Sequence, residues 1–229
     1  MSRLLLWDIE STGLKGDFAT ILCIGYKWYG EKSTKVISIM DFPRFKKDPT
    51  DDSFLMREFM KVYNEADATI TYFGTGFDRK MMYTKLLEHG LALPANIPMI
   101  DLFYTVKGNT TLSRKSLDNV ANFLGTPTQK TKVLGKVWKK AMAGHAGSIR
   151  YIIDHCIADV KVLEEVYERL RPLVRTHPIV ARLGDCRYCG GGNLQRRGFA
   201  LTVLRGRYQR IVCKDCGGWD QVKAQKEKK

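Results

Sequence analysis

Apolar and polar positions follow two different periods along the first 110 residues of the chain. Short apolar or β-branched runs predict strands at 3–7, 21–28, 34–40, 68–73 and 99–106. Apolar residues at helical spacing predict helices over 52–66 and 78–88, the second closed by Gly90. Because three strands precede the first helix, the pattern indicates an antiparallel meander that continues into strand–helix units.

From residue 113 onward, apolar positions recur mostly at helical spacing. Ser113 or Ser116 is expected to cap a helix that ends at Gly125. A loop with Pro127 and several lysines follows, and a long helix is predicted from Ser148 onward. The pattern as a whole predicts a mixed sheet flanked by helices, followed by a small separate module.

The charge balance points to a polyanionic partner. The 229 residues include 38 Lys plus Arg and 24 Asp plus Glu, a formal net charge of +14. From Gly184 to the end there are 11 basic and 4 acidic residues, so +7 falls in the last 46 positions. Basic clusters bind nucleic-acid phosphates by releasing counterions, whereas the alternative is a well-solvated basic surface.

The sequence shows neither a secretory signal nor a membrane-spanning stretch. The apolar opening from Leu4 to Trp7 meets Asp8 too soon for a secretory signal, and no apolar stretch is long enough to span a membrane. We therefore expect a cytoplasmic protein with no membrane partner. In such a compartment cysteines stay reduced, and Cys23 and Cys156, which fall in apolar patterns, are predicted to be buried and inert.

Carboxylates recur where elements end. Asp8 and Glu10 lie two apart on the first strand and so point to one face, an arrangement that suits Mg²⁺ or Mn²⁺ but on its own fits a solvated acidic turn equally well. Asp78 follows the strand at 68–73, with a helix N-cap as its alternative role. His155 and Asp159 share a face of the long helix; taken alone, they are a core histidine and a surface aspartate.

Taken in order, these motifs resemble the DEDD superfamily of 3′–5′ exonucleases over about residues 3–173. The first motif is matched by Asp8-Ile9-Glu10-Ser11-Thr12-Gly13-Leu14, the second by Phe77-Asp78 and the third by His155 and Asp159. The stretch Leu117-Asp118-Asn119-Val120-Ala121 with Leu124-Gly125 is similar to the helix that precedes the third motif. The resemblance implies an RNase H-like fold and a bacterial cell, or a phage-infected one, as the setting.

The resemblance also implies a mechanism. Asp8, Glu10, Asp78 and Asp159 would hold two Mg²⁺ or Mn²⁺ ions about 3.5–4 Å apart for phosphodiester hydrolysis. His155 would orient or deprotonate the attacking water, because imidazole gains and loses a proton near neutral pH. Thr12, within the first motif, is expected to contact the nucleic acid, and Asp101 is expected to play a supporting or structural part beside the acids.

Two positions depart from the family pattern. Many relatives have Asn five residues before the second-motif Asp, where this chain has Phe73. One branch places Tyr four positions before the last Asp and the other places His five positions before it, whereas His155 stands at the tyrosine spacing. The first departure leaves a substrate contact to be supplied elsewhere, and the second leaves the base assignment of His155 as a hypothesis.

Four cysteines predict a zinc ribbon. Cys186/Cys189 and Cys213/Cys216 form two Cys-x-x-Cys pairs separated by 23 residues, which suit one structural Zn²⁺ better than a redox dithiol pair. The intervening residues predict a hairpin of 193–204 and 208–212. Arginines with aromatic neighbours favour nucleic-acid binding by this ribbon, with docking on a protein as the alternative. The predicted contacts are Arg196, Arg197, Arg205, Arg207, Tyr208 and Arg210.

We therefore predict an RNase H-like exonuclease domain at 1–180, a zinc ribbon at 184–222 and a charged tail at 223–229. The leading function is a 3′–5′ exonuclease acting on nucleic-acid ends that are single-stranded, with DNA favoured over RNA. A structure-specific endonuclease on the same fold and a catalytically silent nucleic-acid-binding or recruitment protein are the alternatives. Retention of all four carboxylates counts against the silent protein.

Overall fold

A computed structural model of the protein describes residues 3–128, 131–174, 184–202 and 206–223. The chain divides into two compact units, one of residues 3–169 and one that begins at residue 170. Among the described residues, no helix is both long enough and apolar enough to cross a membrane.

The first unit is built on a five-stranded mixed sheet. Its strand order is β3-β2-β1-β4-β5. β2 is antiparallel to β1 and to β3, whereas β4 is parallel to both β1 and β5. The predicted meander is therefore present, and β1 is the central strand. The strands are β1 (Leu4–Ser11), β2 (Ile21–Trp28), β3 (Lys35–Ser38), β4 (Ala68–Thr71) and β5 (Met99–Asp101).

Six α-helices accompany this sheet in the described part of the chain. They are α1 (Ser53–Tyr63), α2 (Asp78–Glu88), α3 (Leu102–Asn109), α4 (Leu117–Leu124), α5 (Gly135–Met142) and α6 (Ala146–Leu170). Short 3₁₀ helices occupy Ile39–Asp41, Pro43–Lys46 and Arg171–Leu173. The mixed sheet with flanking helices confirms the predicted α/β class.

The two faces of β1 pack against different helices. Trp7 is fully buried, and its ring lies 5.2 Å from Phe59 and 5.7 Å from Tyr63 of α1 between centroids. Asp8 and Glu10 alternate with Trp7 and so face the other side. There Cys156 of α6 approaches the Asp8 carbonyl oxygen, with 3.8 Å between Sγ and O. One strand thus anchors an apolar core on one face and presents two acids on the other.

Three expectations for the elements were wrong. The strand predicted at 99–106 ends at Asp101, whose side chain accepts the Phe103 N–H and caps α3 instead. α5 was expected to be a loop, because Leu134 stands at its N-cap and supplies no capping side chain. The long helix begins at Ala146 rather than Ser148, since the Ser148 N–H already donates to the His145 carbonyl oxygen (3.0 Å).

The second unit contains a three-stranded antiparallel sheet in the order β6-β7-β8. Its strands are β6 (Leu194–Thr202), β7 (Gly206–Cys213) and β8 (Trp219–Lys223). The first two form the predicted hairpin, and Arg205 of its turn lies outside the described residues. β8 was not predicted, because a strand of five mostly exposed residues carries no clear apolar alternation.

Candidate active site

The long helix α6 approaches the sheet at a glycine. Gly25 of β2 pairs with Asp8, and a Cβ built on Gly25 would lie 2.7 Å from the Cys156 sulfur. Only a residue without a side chain permits this contact. Close packing here places the neighbours of Cys156 on α6 beside the acids of β1.

His155 and Asp159 of α6 meet Glu10 of β1. Nε2 of His155 lies 3.6 Å from Glu10 Oε1 and 3.7 Å from Asp159 Oδ2. One ligand atom from each of the three residues falls within 4.8 Å of the other two. Both His155 and Asp159 are buried, and Glu10 is only 9% exposed. The structure therefore brings together side chains from two elements that are far apart in sequence.

Asp8 belongs to the same cluster. One carboxylate oxygen of Asp8, one of Glu10 and the sulfur of Cys156 form a second group. These three atoms lie within 4.8 Å of one another. The Cys156 thiol is fully buried; its hydrogen bond to Cys23 and its burial hold its pKa well above the ordinary value. The Cys23 and Cys156 thiols are buried as expected, and Cys156 is a neutral thiol beside the carboxylates of this cluster.

Asp78 reaches β1 through the backbone. It is the first residue of α2 and is 3% exposed, and its Oδ1 accepts the Ile9 N–H at 3.0 Å. Burial raises the pKa of the Asp78 carboxyl to about 7, and the charge of Asp101 acts in the same direction. Asp78 belongs to neither of the two ligand groups, but it binds the amide between Asp8 and Glu10. Its side chain does not act as an N-cap, because Phe77 occupies that position.

Thr131 is a member of the site that the sequence did not predict. Its hydroxyl oxygen lies 2.6 Å from Nδ1 of His155 and holds the ring nitrogen that faces away from the acids. Thr131 precedes α5 and is 24 residues from His155, so no motif spacing connects the two. A hydrogen bond at Nδ1 selects the orientation of an imidazole whose Nε2 is functional.

Thr12 and Asp101, which were also expected at the site, make hydrogen bonds to the backbone of neighbouring loops. The Thr12 Oγ1 accepts the Thr20 N–H at 2.9 Å, which closes the loop between β1 and β2. Asp101 accepts three backbone N–H groups, from Phe73 (2.9 Å), Thr75 (3.0 Å) and Phe103 (3.1 Å). Asp101 therefore holds the segment after β4 against the start of α3.

The four remaining cysteines form a cluster in the second unit. The Sγ atoms of Cys186 and Cys216 are 3.6 Å apart, as are those of Cys189 and Cys213. Ligands 2.3 Å from a tetrahedral Zn²⁺ are separated by about 3.8 Å. Burial raises the pKa of the Cys189 and Cys216 thiols, so a cation would be needed to hold them as thiolates at neutral pH. The spacing of the sulfurs fits one tetrahedral ion.

The predicted contacts of this unit that fall among the described residues lie on β6 and β7. Arg196, Arg197, Arg207 and Arg210 are exposed, whereas Tyr208 is half-buried. The Arg207 guanidinium stands 3.7 Å above the centroid of the Phe199 ring, which is itself 46% exposed. Arg207 and Phe199 thus share one face of the hairpin.

Comparison with known proteins identifies the class. A model of the RNase H superfamily matches residues 5–171, and the chain belongs to this superfamily. Membership supports a nuclease-type function and confirms the RNase H-like fold. No curated protein matches the sequence.

One similar solved structure is the family B DNA polymerase from the hyperthermophilic archaeon Pyrobaculum calidifontis. The match has a TM-score of 0.61 and 18% sequence identity, and it covers 75% of this chain. It covers 25% of the polymerase chain, so this protein spans about a quarter of that length. At this identity the likeness shows a shared fold.

Proposed function

We propose that the protein is a metal-dependent nuclease that acts as a 3′–5′ exonuclease of the DEDD type on DNA or RNA ends. The convergence of Glu10, His155 and Asp159 beside Asp8 carries this proposal. Superfamily membership supports hydrolysis of a phosphodiester, and the resemblance of the three motifs supports the 3′–5′ direction.

Asp8, Glu10, Asp78 and Asp159 would hold the divalent cations. Their hard oxygen donors suit Mg²⁺ or Mn²⁺, and several buried acids in one place repel one another unless positive charge lies between them. Burial raises the pKa of the Asp78 carboxyl, so a bound cation would favour its ionised form. Two bound ions would supply an activated water and stabilise the charge that develops on the leaving oxygen.

His155 would accept the proton of the attacking water at Nε2. That nitrogen faces Glu10 and Asp159, and the Thr131 hydroxyl at Nδ1 keeps the ring in this orientation. Asp78 would hold β1 in place through the Ile9 amide as well as contribute a ligand. The carboxylates would thus bind the divalent cations, and the imidazole of His155 would take the proton from the attacking water.

The second unit would contain a zinc ribbon at 184–222, and a catalytic domain at 1–180 would precede it in the sequence. Its four thiolates would bind one Zn²⁺, and reduced thiols suit the cytoplasm of a bacterial or phage-infected cell. The Arg207–Phe199 pair and the neighbouring arginines support a grip on nucleic acid, since such surfaces bind backbones and unpaired bases.

The direct test incubates the full-length protein with end-labelled DNA and RNA oligonucleotides in Mg²⁺, Mn²⁺ or EDTA. We expect a ladder that shortens one nucleotide at a time from the 3′ end in either cation, and no product in EDTA. Internal cuts would assign the endonuclease alternative instead. Binding without products in either cation would assign the silent protein.

A further inference from the structure

The positive charge that precedes the ribbon is concentrated in one segment of the chain. The 35 residues from Asn119 to Ile153 include six Lys or Arg and no Asp or Glu. Residues 1–183 carry +7 in total, so this segment holds +6 of it and the remainder only +1. The segment was expected to contain a loop, and in the structure it contains α5. Nothing in the proposed hydrolysis uses this charge.

The helix α5 buries one side and exposes lysines on the other. Ala141 is 2% exposed, and Trp138 packs against the main apolar core. Lys136, Lys139 and Lys140 are exposed and lie three and four positions apart, so they share the side of α5 that faces away from the core. We call these three residues the lysine face.

No interaction within the described part of the chain compensates the lysine face. None of its three lysines forms an ion pair there, and like charges three and four positions apart on a helix repel. The helix macrodipole favours Lys139 and Lys140, which lie in the last turn of α5. It disfavours Lys136, which is the second residue of the helix. A bound polyanion would offset the repulsion among all three.

The segment that leads into α5 is fixed beside the proposed base. The Thr131 hydroxyl oxygen lies 2.6 Å from Nδ1 of His155. One residue further, the carbonyl oxygen of Lys132 accepts the Tyr151 hydroxyl at 3.4 Å, and the Lys132 side chain is exposed. An extended chain spans at most about 3.6 Å per residue, so the Cα of Lys136 lies within about 18 Å of the Thr131 Cα. The lysine face is therefore near the hydrolytic site.

A single-stranded substrate would bring phosphates to this surface. Only the phosphodiester that is cleaved lies at the acids, so the rest of the strand has to leave the site. A nucleic-acid strand rises about 3.4 Å per nucleotide, so about five nucleotides span 18 Å. Lysine contacts phosphates as a flexible point charge and carries no information about the bases.

We propose that the lysine face of α5 binds phosphates of the substrate strand on the 5′ side of the scissile bond, within about five nucleotides of it. The proposal rests on the nuclease function and adds a binding surface that is separate from the acids and from the ribbon. Such a surface increases affinity for longer strands, whatever their sequence.

The test measures affinity for single strands at several salt concentrations, with Ca²⁺ in place of Mg²⁺ to prevent hydrolysis. Lys136, Lys139 and Lys140 are replaced together by Gln, which removes the charges and keeps a high helix propensity. For a strand of about 20 nucleotides, the slope of log affinity against log salt should become shallower by about 0.7 per lost contact, or about 2 in total. Affinity in about 0.1 M salt should fall at least tenfold.

A dinucleotide separates this surface from the acids. Its single phosphodiester lies at the hydrolytic site and leaves no phosphate for the lysine face. Measured as a competitor, the dinucleotide should therefore bind the wild type and the triple Gln variant equally. Lys136→Gln alone is the second variant if the triple variant does not fold, and it should reduce the slope for the long strand by about 0.7.

The matched control replaces Lys32, Lys35 and Lys61 by Gln. These lysines are also exposed, and their removal lowers the formal net charge of +14 by the same three units. Lys35 and Lys61 pair with Glu31 and Glu58, so their charges are compensated locally. The control should keep the affinity and the salt slope of the wild type. Replacement of the lysine face by Arg, which keeps the charge, should do the same.

Two results would overturn the proposal. An unchanged slope in the triple Gln variant would leave an acidic protein as the partner of the lysine face, and an equal loss of affinity for the dinucleotide would mean that the lysines act at the acids. A shallower slope in a protein that hydrolyses neither DNA nor RNA in Mg²⁺ would contradict the nuclease function and leave the lysine face in place. Hydrolysis with an unchanged slope would do the reverse.

Discussion

His155 has polar partners at both ring nitrogens, and this arrangement distinguishes it from a histidine that only fills the core. Nδ1 contacts the Thr131 hydroxyl, and Nε2 faces Glu10 and Asp159. An imidazole held at one nitrogen and open toward acids at the other is arranged to take a proton. We therefore propose a role for His155 that is distinct from metal binding.

We expect His155→Ala to reduce kcat by about 10²–10⁴-fold without abolishing hydrolysis, which is the usual contribution of a general base. Activity at saturating substrate across pH 6 to 9 is the measurement. A variant that matches the wild type over this range would make His155 a packing residue.

The raised pKa of Asp78 can be tested through the pH dependence of the free energy of unfolding. Its folded-state pKa of about 7 exceeds the unfolded value, so the folded protein binds an extra proton between about pH 4 and 7. The contribution of Asp78 to stability is therefore lost as pH rises through this window. In EDTA, Asp78→Asn should raise the free energy of unfolding at pH 8 by up to about 4 kcal/mol, and the gain should vanish near pH 4.

Urea unfolding at several pH values measures this effect, with Asp154→Asn, a change on the exposed side of α6, as the control. A wild-type and an Asp78→Asn protein with parallel pH profiles would show that the carboxyl ionises normally in the folded protein.

At the scale of elements, a buried charge network joins α1, α2 and β2. Asp52 is fully buried, and its carboxylate accepts the Ile21 N–H at 2.7 Å. It also lies 2.5 Å from His89 Nε2 and 3.5 Å from Lys85 Nζ. Removal of a buried charge leaves its partners uncompensated.

Asp52→Ala should therefore lower the free energy of unfolding by about 3–5 kcal/mol. Glu58→Ala breaks an exposed ion pair with Lys61 and should cost less than about 1 kcal/mol. Chemical denaturation of the two variants beside the wild type provides the comparison. Equal losses would mean that the network at Asp52 contributes no more than a surface pair.

Elements with strong local signals were predictable from the sequence. β2 and α2 have the predicted bounds, Ile21–Trp28 and Asp78–Glu88, because apolar runs and turn residues delimit them. α3 was not predictable, since the apolar residues after Asp101 suit a strand equally well and the Asp101 cap decides the outcome. Local propensity cannot report a capping bond that forms only in the folded chain.

Some residues of the candidate site were predictable from the sequence and others were not. Asp8, Glu10, His155 and Asp159 were predicted from the order of the motifs and their resemblance to the DEDD family, and they lie together in the structure. Thr131 depends on a contact between distant segments, which no periodicity encodes. The cluster of four cysteines was predictable from the sequence, because two Cys-x-x-Cys pairs can supply four ligands to one ion.

At the scale of the whole molecule, the charge is unevenly distributed. Residues from Gly184 onward carry +7 of the net +14 but none of the four carboxylates. If this part grips substrate, removal of residues 184–229 should weaken binding and flatten its salt dependence while turnover at saturation persists. Affinity measured at several salt concentrations for the two proteins is the test.

Elemental analysis complements that comparison. The full chain should contain about one zinc, and Cys213→Ser with Cys216→Ser should release it and unfold the ribbon. Equal affinity and equal salt slope before and after truncation would indicate a protein-docking module. Lost turnover at saturation would instead mean that the ribbon contributes to the chemistry.

The central claim is that the acids of β1 and α6 form one hydrolytic site. Its most direct measurement is the rate of nucleotide release from a 3′-labelled strand by wild type, Asp8→Ala and Asp159→Ala in Mg²⁺, in Mn²⁺ and in EDTA. Both variants should stay folded, since loss of one charge relieves repulsion, and both should lose detectable hydrolysis. Full activity in both variants, or wild-type turnover that persists in EDTA, would contradict the account.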